Sequence, residues 1–399
     1  MTKREKHLVV LGASEQQLPL IHAAKKRNLK VLTIDNRPEN PGHQLADIFY
    51  DDISITDHEQ LHATLLKHPP LGVSSTASDL GARACAYLQQ KLNLQGPSTQ
   101  GVDILSKKDL FRNACRDASI PYPSFSIVTK TDQLPEKTVL PAVVKPIDRS
   151  GSIGVKIVYN ESQLTEAIDQ AIIESISGIA IVESRLIKIG KQICGDGFVT
   201  NGKVEFSHYG DGHFPDNESA LAPYGETFPS SHKQSVLDAL TSQINKLIEI
   251  AGYKEGPFNV DAIVTRKDEV FIIDIGPRLG GNFIPEIINL QTGINLYEHY
   301  LDLCLGNDLT PLANNHEKPG YHASFMVNKI SDGKRAGSFE TGGEIEKFIK
   351  IKRMFDHVCN AVESKDGRTI SLGNLVMEFP DSTTMNNIFE SMNSFIKFK

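Results

Sequence analysis

The stretch VFIIDIGPRLGGN, Val270 to Asn282, decides the fold. Its apolar start is typical of a buried strand, and Asp274, a Gly-Pro pair and Arg278 follow directly. A strand that ends in an acid, a turn and an arginine presents charge at the edge of a sheet. Two questions follow: what this charge binds, and why residue 276 is a glycine.

The preceding segment, FNVDAIVT at 258–265, is a second apolar strand and carries Asp261. Because only RKDE separates the two strands, we expect an antiparallel hairpin in which Asp261 faces Asp274. Two carboxylates inside an apolar sheet are costly unless they are paired or bind a metal. Mg²⁺ held by carboxylates and phosphate oxygens is the usual solution, and a hydrogen-bonded acid pair is the alternative.

Basic residues and a glycine-rich loop lie upstream and beside this hairpin. Lys145 ends the strand AVVK, where it suits phosphate oxygens, with a surface lysine as the alternative. The loop DRSGSIGV, Asp148 to Val155, can cradle phosphates with its backbone N–H groups, although a structural glycine hairpin would look the same. The guanidinium of Arg278 suits a carboxylate or phosphoryl group, and a structural salt bridge is its alternative.

Length and composition restrict the class of protein. The chain has 399 residues, of which 40% are hydrophobic, and is long enough for about two or three domains. Its net charge of −7 and lack of basic runs argue against nucleic-acid or anionic-membrane partners. No signal-peptide pattern or membrane-span pattern is present, and the five cysteines form no disulfide framework or metal motif. We therefore expect a cytoplasmic protein whose thiols are reduced, namely Cys85, Cys115, Cys194, Cys304 and Cys359.

The chain divides into regions of different pattern. Residues 7–95 alternate strand and helix, which predicts a parallel, Rossmann-like sheet with its ligand edge at the carboxyl ends of the strands. Only Gly12 of a dinucleotide fingerprint follows the first strand, so NAD is not expected even though Asp35 ends the second. The middle is predicted to be α+β with an antiparallel sheet, and the strand-rich end to close with a helix, Thr383 to Ile396.

The order of these features resembles the ATP-grasp superfamily, in particular its carboxylate-amine ligase branch of biotin carboxylase, purine-pathway enzymes and L-amino acid ligases. KKDLFRNACRDASIPYP, VVKPIDRSGSIGV and VESRLI are similar to the family's lysine helix, glycine-rich flap and adenine hinge. The resemblance covers nearly the whole chain. It implies a pre-ATP-grasp domain at 1–99, a two-lobed ATP-grasp domain at 100–308 with a flexible subdomain at about 125–187, and a small strand-rich C-terminal domain at 309–399.

The resemblance also implies site residues. Lys108, with Lys107 as a rival, and Lys145 would bind ATP phosphates, and Arg278 would hold the reacting carboxylate. The flap residues that would contact ATP are Ser150, Gly151, Ser152 and Gly154. The adenine and ribose contacts would come from Glu183, Ser184, Leu186 and Gln192, the last in place of the family's Glu. Asp261 and Asp274 would bind Mg²⁺ or Mn²⁺.

One departure concerns the metal site. The family's acid-x-Asn-Pro-Arg becomes DIGPR here, so Gly276 replaces a metal-ligating amide. We predict that Asn282, set in GGN, or a water supplies the missing ligand.

Substrate specificity is predicted to lie in the long polar loop Ser207 to Ser231. Its His213 is a candidate substrate contact, and a metal site formed by His208, Asp211 and His213 is an alternative. Arg335 and GSFETGG, from the C-terminal region, are further candidates for closing the site.

Together these patterns predict an ATP-dependent ligase that joins a small-molecule carboxylate to an amine through an acyl phosphate, releasing ADP and phosphate. An ATP-grasp carboxylase or phosphotransferase is the first alternative, and a non-catalytic nucleotide-binding protein is the second. The sequence does not name the two substrates or determine the oligomeric state, although homodimers are common in the families it resembles.

Overall fold

The structure is a computed structural model that describes residues 7–130, 138–215, 222–265, 268–312, 320–330, 337–355 and 369–399. Its mixture of a parallel α/β sheet with antiparallel α+β sheets confirms the predicted fold class. Across these ranges, no helix combines the length and the apolar character needed to cross a membrane. Cys359 and Arg335 lie outside the described residues.

The N-terminal region forms a parallel four-stranded sheet with helices on both faces. Its elements are β1 (His7–Leu11), α1 (Leu18–Lys26), β2 (Lys30–Ile34), α2 (Gly42–Leu45), β3 (Ile48–Tyr50), α3 (His58–Lys67), β4 (Gly72–Ser74) and α4 (Asp79–Leu92). The strand order is β3-β2-β1-β4. Alternate apolar residues of β1 face opposite sides of the sheet, so Val9 packs with α3 and α4 while Val10 packs with α1. The predicted Rossmann-like sheet is therefore present.

The second region is a small lobe. Helices α5 (Thr99–Ser106) and α6 (Lys108–Asp117) precede it and pack outside it, in a separate core with Leu240 and Ile272. The lobe itself comprises β5 (Phe125–Val128), β6 (Ala142–Pro146), β7 (Lys156–Val158), α7 (Glu161–Glu174) and β8 (Ala180–Ser184). Its sheet has the antiparallel order β5-β8-β6-β7. The apolar side of α7 covers one face, where Leu164 and Ile168 join Val144 and Val182 in a small core. This core supports the strands that carry Lys145 and Glu183.

The rest of the chain is built on an eight-stranded antiparallel sheet. This part of the chain comprises β9 (Gln192–Thr200), β10 (Lys203–His213), β11 (Gly225–Phe228), α8 (Gln234–Ala251), β12 (Gly256–Val264), β13 (Val270–Gly276), α9 (Ile284–Thr292), α10 (Leu296–Leu305), β14 (Tyr321–Ile330), β15 (Phe339–Thr341), β16 (Ile349–Met354), β17 (Thr369–Phe379), α11 (Ser382–Glu390) and β18 (Ile396–Phe398). Strands β15 and β18 form a separate two-stranded sheet. The order in the eight-stranded sheet is β13-β12-β9-β10-β11-β14-β17-β16, so this sheet continues across the predicted boundary at 308/309. The three-domain division stays a prediction.

The predicted closing helix is wrong in its second half. Helix α11 ends at Glu390, a short 3-10 helix follows, and Ile396 begins strand β18. Strand β18 pairs with β15, where Ile396 lies opposite Thr341. Pairing with a strand distant in sequence overrides the local helical pattern here, which is why the pattern alone misplaced the end of the helix.

Candidate functional site

A cavity of about 1390 Å³ lies between the small lobe, the eight-stranded sheet and the start of α4. Of the residues predicted to bind ATP, metal or the reacting carboxylate, all but Gly154 and the rival Lys107 line it: Lys108, Lys145, Ser150, Gly151, Ser152, Glu183, Ser184, Leu186, Gln192, Asp261, Asp274, Arg278 and Asn282. Gly154 shapes the flap instead. It has a φ of +70°, and a Cβ there would lie 2.8 Å from Cγ of Pro146.

Two lysines lie on the small-lobe side of the cavity. Nζ of Lys108 donates to the carbonyl oxygen of Arg149 over 2.6 Å, which ties the start of α6 to the glycine-rich flap. Nζ of Lys145 lies 2.6 Å from Oε2 of Glu183. The rival Lys107 does not line the cavity and pairs with Asp103. The geometry therefore favours Lys108.

Glu183 differs from its predicted surroundings, because its carboxylate lies between two cations of the protein. Oε1 accepts from Nε of Arg112 over 2.6 Å, and Oε2 pairs with Lys145. Burial alone would raise the pKa of Glu183, but the two cations outweigh it and hold the pKa at about 2. Burial lowers the pKa of Lys145, and Arg112 and Lys108 add to that effect while Glu183 opposes it. This cluster supports the hinge strand β8 from inside.

Arg112 is the residue that the sequence reasoning missed in this cluster. It is 1% exposed, and its two terminal nitrogens donate to the carbonyl oxygens of Ile272 and Ile273 over 3.0 and 2.8 Å. One side chain therefore joins the hinge strand to β13, the strand that carries Asp274. The available signal was an arginine on the buried face of an amphipathic helix, beside Phe111 and Cys115.

The predicted facing of Asp261 and Asp274 is confirmed. The two residues lie directly opposite each other on β12 and β13, next to a bulge. Asp261 accepts from Nε2 of Gln192 over 3.0 Å, and Asp274 from the amide of Ile275 over 3.1 Å. Burial raises the pKa of Asp261 to about 6, and Asp274 adds to the rise while Gln192 opposes it. Each carboxylate thus has one hydrogen-bond donor within the protein, as the alternative of a hydrogen-bonded acid pair also requires.

The structure explains the glycine at 276. Nε of Arg278 donates to Oδ1 of Asp79 over 2.8 Å. A Cβ at residue 276 would lie 2.8 Å from both Cζ of Arg278 and Oδ1 of Asp79, so the ion pair occupies the space of a side chain. Asp79 was also missed, although its place after β4 at the ligand edge of a parallel sheet was a usable signal.

Arg278 keeps part of its guanidinium free. Its NH1 is buried and has no hydrogen-bond partner among the residues that the structure describes. Burial alone would lower its pKa, but Asp79, Asp196 and Asp274 raise it, so the side chain is a cation. A buried, unpartnered donor beside two carboxylates and two lysines indicates a missing anionic ligand.

Asn282 lines the cavity in a left-handed conformation, with a φ of 52°. Its amide donates to Oε1 of Gln16 over 2.9 Å, and its side-chain Nδ2 donates to Oε1 of Glu226 over 2.7 Å. Burial raises the pKa of Glu226 to about 8, with Asp261 and Asp196 adding to the rise and Asn282 opposing it. A role of Asn282 as a metal ligand stays a prediction.

Part of the predicted substrate loop lies at the cavity, while residues 216–221 fall outside the described ranges. His213 lines the cavity with Phe214 and Tyr224, and its Nε2 lies 2.9 Å from Oγ1 of Thr227. Burial lowers the pKa of His213 to about 3, and Lys191 and Lys188 add to this. The prediction of one continuous loop is wrong, since residues 207–213 belong to β10 and residues 225–228 form β11. The segment contributes a partly aromatic wall.

Two of the secondary site predictions fail. In the part of the chain that the structure describes, no group of three or more His, Cys, Asp and Glu residues could hold a metal, so His208, Asp211 and His213 form no metal site. Asp211 instead accepts from the Ser230 hydroxyl and the Ser231 amide. Residues 337–343 do not line the cavity, because they lead into and form strand β15 beside β18. Asn328 and Ser371 line it from the C-terminal region instead.

Comparison with known proteins agrees with this geometry. Residues 138–286, which hold the flap, the hinge and the acid hairpin, match the family model of the ATP-grasp domain. Residues 138–286 are therefore an ATP-grasp domain.

The relatives of this ATP-grasp chain are distant in sequence. It is 26% identical over 179 residues to formate-dependent phosphoribosylglycinamide formyltransferase of Prochlorococcus marinus, a match that covers 44% of this chain and 45% of that protein. The chain spans about half of the length of the curated relatives it matches.

Solved structures extend the likeness to the whole chain. L-amino acid ligase from Bacillus licheniformis is 16% identical with a TM-score of 0.82, covering 100% of this chain and 99% of that one. A second similar structure is the biotin carboxylase domain of 2-oxoglutarate carboxylase from Hydrogenobacter thermophilus, solved with MgADP, ADP and bicarbonate. It is 15% identical with a TM-score of 0.77, and the match covers 99% of this chain and 90% of that one. These likenesses show the ATP-grasp fold of the chain.

Proposed function

We propose that this ATP-grasp protein is an ATP-dependent carboxylate-amine ligase. A substrate carboxylate attacks the terminal phosphorus of ATP to give an acyl phosphate and ADP, and an amine then displaces phosphate to form an amide. The observation that carries this proposal is that two lysines, two opposed carboxylates and an arginine with one unpartnered terminal nitrogen among the described residues line a single cavity. They are Lys108, Lys145, Asp261, Asp274 and Arg278.

ATP would bind between the flap and the hinge. Lys108, Lys145 and the N–H groups of the flap are suited to the triphosphate, because point charges and glycine-rich backbone both bind phosphate oxygens. Because the Glu183 carboxylate is taken up by Lys145 and Arg112, we assign the adenine contacts to the backbone of Ser184 and Leu186.

The residues present fit a divalent cation. Asp261 and Asp274 are hard oxygen donors, and burial and the charge of Asp274 raise the pKa of Asp261 although Arg278 opposes the rise, as expected for carboxylates that share a site. A bound Mg²⁺ or Mn²⁺ neutralises phosphate charge during phosphoryl transfer. Asn282 and water are the proposed additional ligands.

Arg278 would hold the reacting carboxylate. Asp79 fixes its Nε, and the buried NH1 has no hydrogen-bond partner among the described residues. Phosphoryl transfer of this kind depends on positioning and charge stabilisation more than on proton transfer. The closeness of Arg278 to the acid hairpin is therefore what the reaction needs.

ADP release in the presence of Mg-ATP tests this function. The protein is incubated with a pool of carboxylic acids, with and without a pool of amino acids. Release that requires both pools supports the ligase, whereas release with acids alone indicates a phosphotransferase. Bicarbonate is one member of the acid pool and tests the carboxylase.

Two variants keep the assay specific. Asp274→Asn should abolish ADP release, and Asp302→Asn, which changes an acid paired with Arg27 far from the cavity, should leave it unchanged. ADP release that survives in Asp274→Asn comes from a contaminating ATPase. Bound ATP without release in any pool would contradict the ligase proposal. A homodimer stays a prediction that sedimentation velocity tests.

A further inference from the structure

Glu226, on β11, is a buried carboxylate with one oxygen unsatisfied. The residue is 2% exposed and lines the cavity. Oε1 accepts from Nδ2 of Asn282 over 2.7 Å, whereas Oε2 is buried and has no hydrogen-bond partner among the described residues. A buried carboxylate oxygen without a donor is costly, so this oxygen indicates a donor that a ligand would supply.

The neighbouring polar groups have no donor to spare for this oxygen. Ser324, opposite Glu226 in the sheet, uses its hydroxyl proton in a 2.6 Å bond to the carbonyl oxygen of Asn282. Asn374 donates to the Ser324 hydroxyl over 2.7 Å. On the other side, Glu226 lies opposite Gly212, which has no side chain. The network therefore holds Asn282 in place but leaves the buried second oxygen of Glu226 without a donor among the described residues.

The charges near Glu226 favour a positively charged ligand. The ionisable groups that act on it most are Asp261 and Asp196, both acidic, and the nearby thiol of Cys194 lies on the same side of the sheet as Asp261. The missing donor is thus expected to carry positive charge, which an ammonium group does and a hydroxyl or amide does not.

The walls beside Glu226 are apolar. Met326 lies on the same face of the sheet as Glu226, since Glu226 pairs with Ser324 and side chains alternate every second residue. Met326 lines the cavity, as do Phe214 and Ile284. A ligand that fits here carries its cationic group on an apolar body.

We propose that Glu226 binds the ammonium group of the amine substrate and that this subsite selects amines with an apolar side group. The proposal rests on the ligase function. The ammonium donates to Oε2 while Asn282 keeps the carboxylate oriented through Oε1. Glu226 lies on the eight-stranded sheet and Lys145 on the small lobe, so the amine approaches the activated carboxylate from the sheet. The ammonium first passes a proton to Oε2 of Glu226, its nitrogen then attacks the acyl carbon, and the second proton leaves with the displaced phosphate.

Binding of two matched probes tests this subsite without turnover. Leucinamide carries an α-ammonium at a pH of about 7, and isocaproamide is the same molecule without the amino group. A ligand that binds the folded state raises the melting temperature, so leucinamide at about 10 mM should raise that of the wild type by about 2 °C more than isocaproamide does. Glu226→Gln, which keeps the acceptor for Asn282, should remove the difference.

Ser371→Ala is the matched control, because Ser371 lines the same cavity and bonds Asn328 rather than Glu226. This variant should keep the preference for leucinamide. Equal shifts with the two probes in the wild type would overturn the proposal, and so would a preference that survives in Glu226→Gln or disappears in Ser371→Ala. A Glu226-dependent preference without ADP release in any pool would retain the ammonium site and remove the ligase function.

Discussion

Nε of Arg278 donates to Oδ1 of Asp79 over 2.8 Å, and the two residues come from opposite parts of the chain. Asp79 begins α4 at the edge of the N-terminal parallel sheet, and Arg278 follows β13 of the acid hairpin. Both side chains are 14% exposed. The pair therefore fixes the arginine between two layers of the fold and aligns it with the opposed acids.

Asp79→Asn keeps the shape of this side chain and removes its charge. We expect kcat for ADP release to fall by about tenfold, because Arg278 loses the partner that orients it, while KM for ATP changes little. Steady-state kinetics over ATP and carboxylate concentrations measures the split. Unchanged kcat at an unchanged melting temperature would show that Asp79 does not position Arg278.

Gly276→Asn restores the amide that the family carries, and we expect it to lower activity rather than raise it. A Cβ at residue 276 would lie 2.8 Å from Cζ of Arg278 and would displace the Asp79 pair, so ADP release should fall by about tenfold or more. Gly342→Asn is the control, since a Cβ there has nothing within 4 Å. Higher activity in Gly276→Asn would mean that the missing amide limits the enzyme.

Arg112→Met removes a buried cation that holds Glu183 and two carbonyl groups of β13. Because Glu183 would keep a buried charge with one partner fewer, we expect the free energy of unfolding to fall by about 3–5 kcal/mol. Urea denaturation measures it. Arg116→Met changes an exposed arginine of the same helix and should cost less than about 1 kcal/mol. Equal losses in the two variants would contradict the role of Arg112.

His208 predicts a pH dependence of stability. Burial lowers its pKa from 6.5 to about 4, and His322 adds to this. Between these two values the unfolded chain binds the proton and the folded chain does not, so stability falls as the pH falls through this window. Between a pH of about 6.5 and 4.5, His208 should lower the free energy of unfolding of the wild type by on the order of 2 kcal/mol, and His208→Leu should abolish this contribution. Parallel stability curves for wild type and variant would refute the assignment.

Asn282→Ala tests the predicted metal ligand. If Asn282 contributes to the metal site, the Mg²⁺ concentration for half-maximal ADP release should rise by about tenfold, with Asp261 intact. Glu226→Gln is the comparison, because it changes the neighbouring partner of Asn282 and leaves Asn282 itself in place. An unchanged Mg²⁺ requirement in Asn282→Ala would remove it from the metal site and leave its contact with Glu226 as its role.

Much of the site could be predicted because its residues belong to short local patterns. The strand, turn and arginine of residues 270–282 and the flap at 148–155 each have a composition that follows from their chemistry. The residues that were missed, Asp79, Arg112 and Glu226, act through partners far away in the chain. No local pattern distinguishes such residues from ordinary helix or strand positions.

The sequence by itself determined most of the strands and helices and the facing of Asp261 and Asp274, because periodicity and short spacing express these directly. Only the tertiary structure decided which residue supports Arg278, why residue 276 has no side chain, and where Glu183 and Glu226 find partners. Hydrogen bonds and steric contacts between distant segments exist only once the layers are packed, and a residue's burial and charge environment arise at that point.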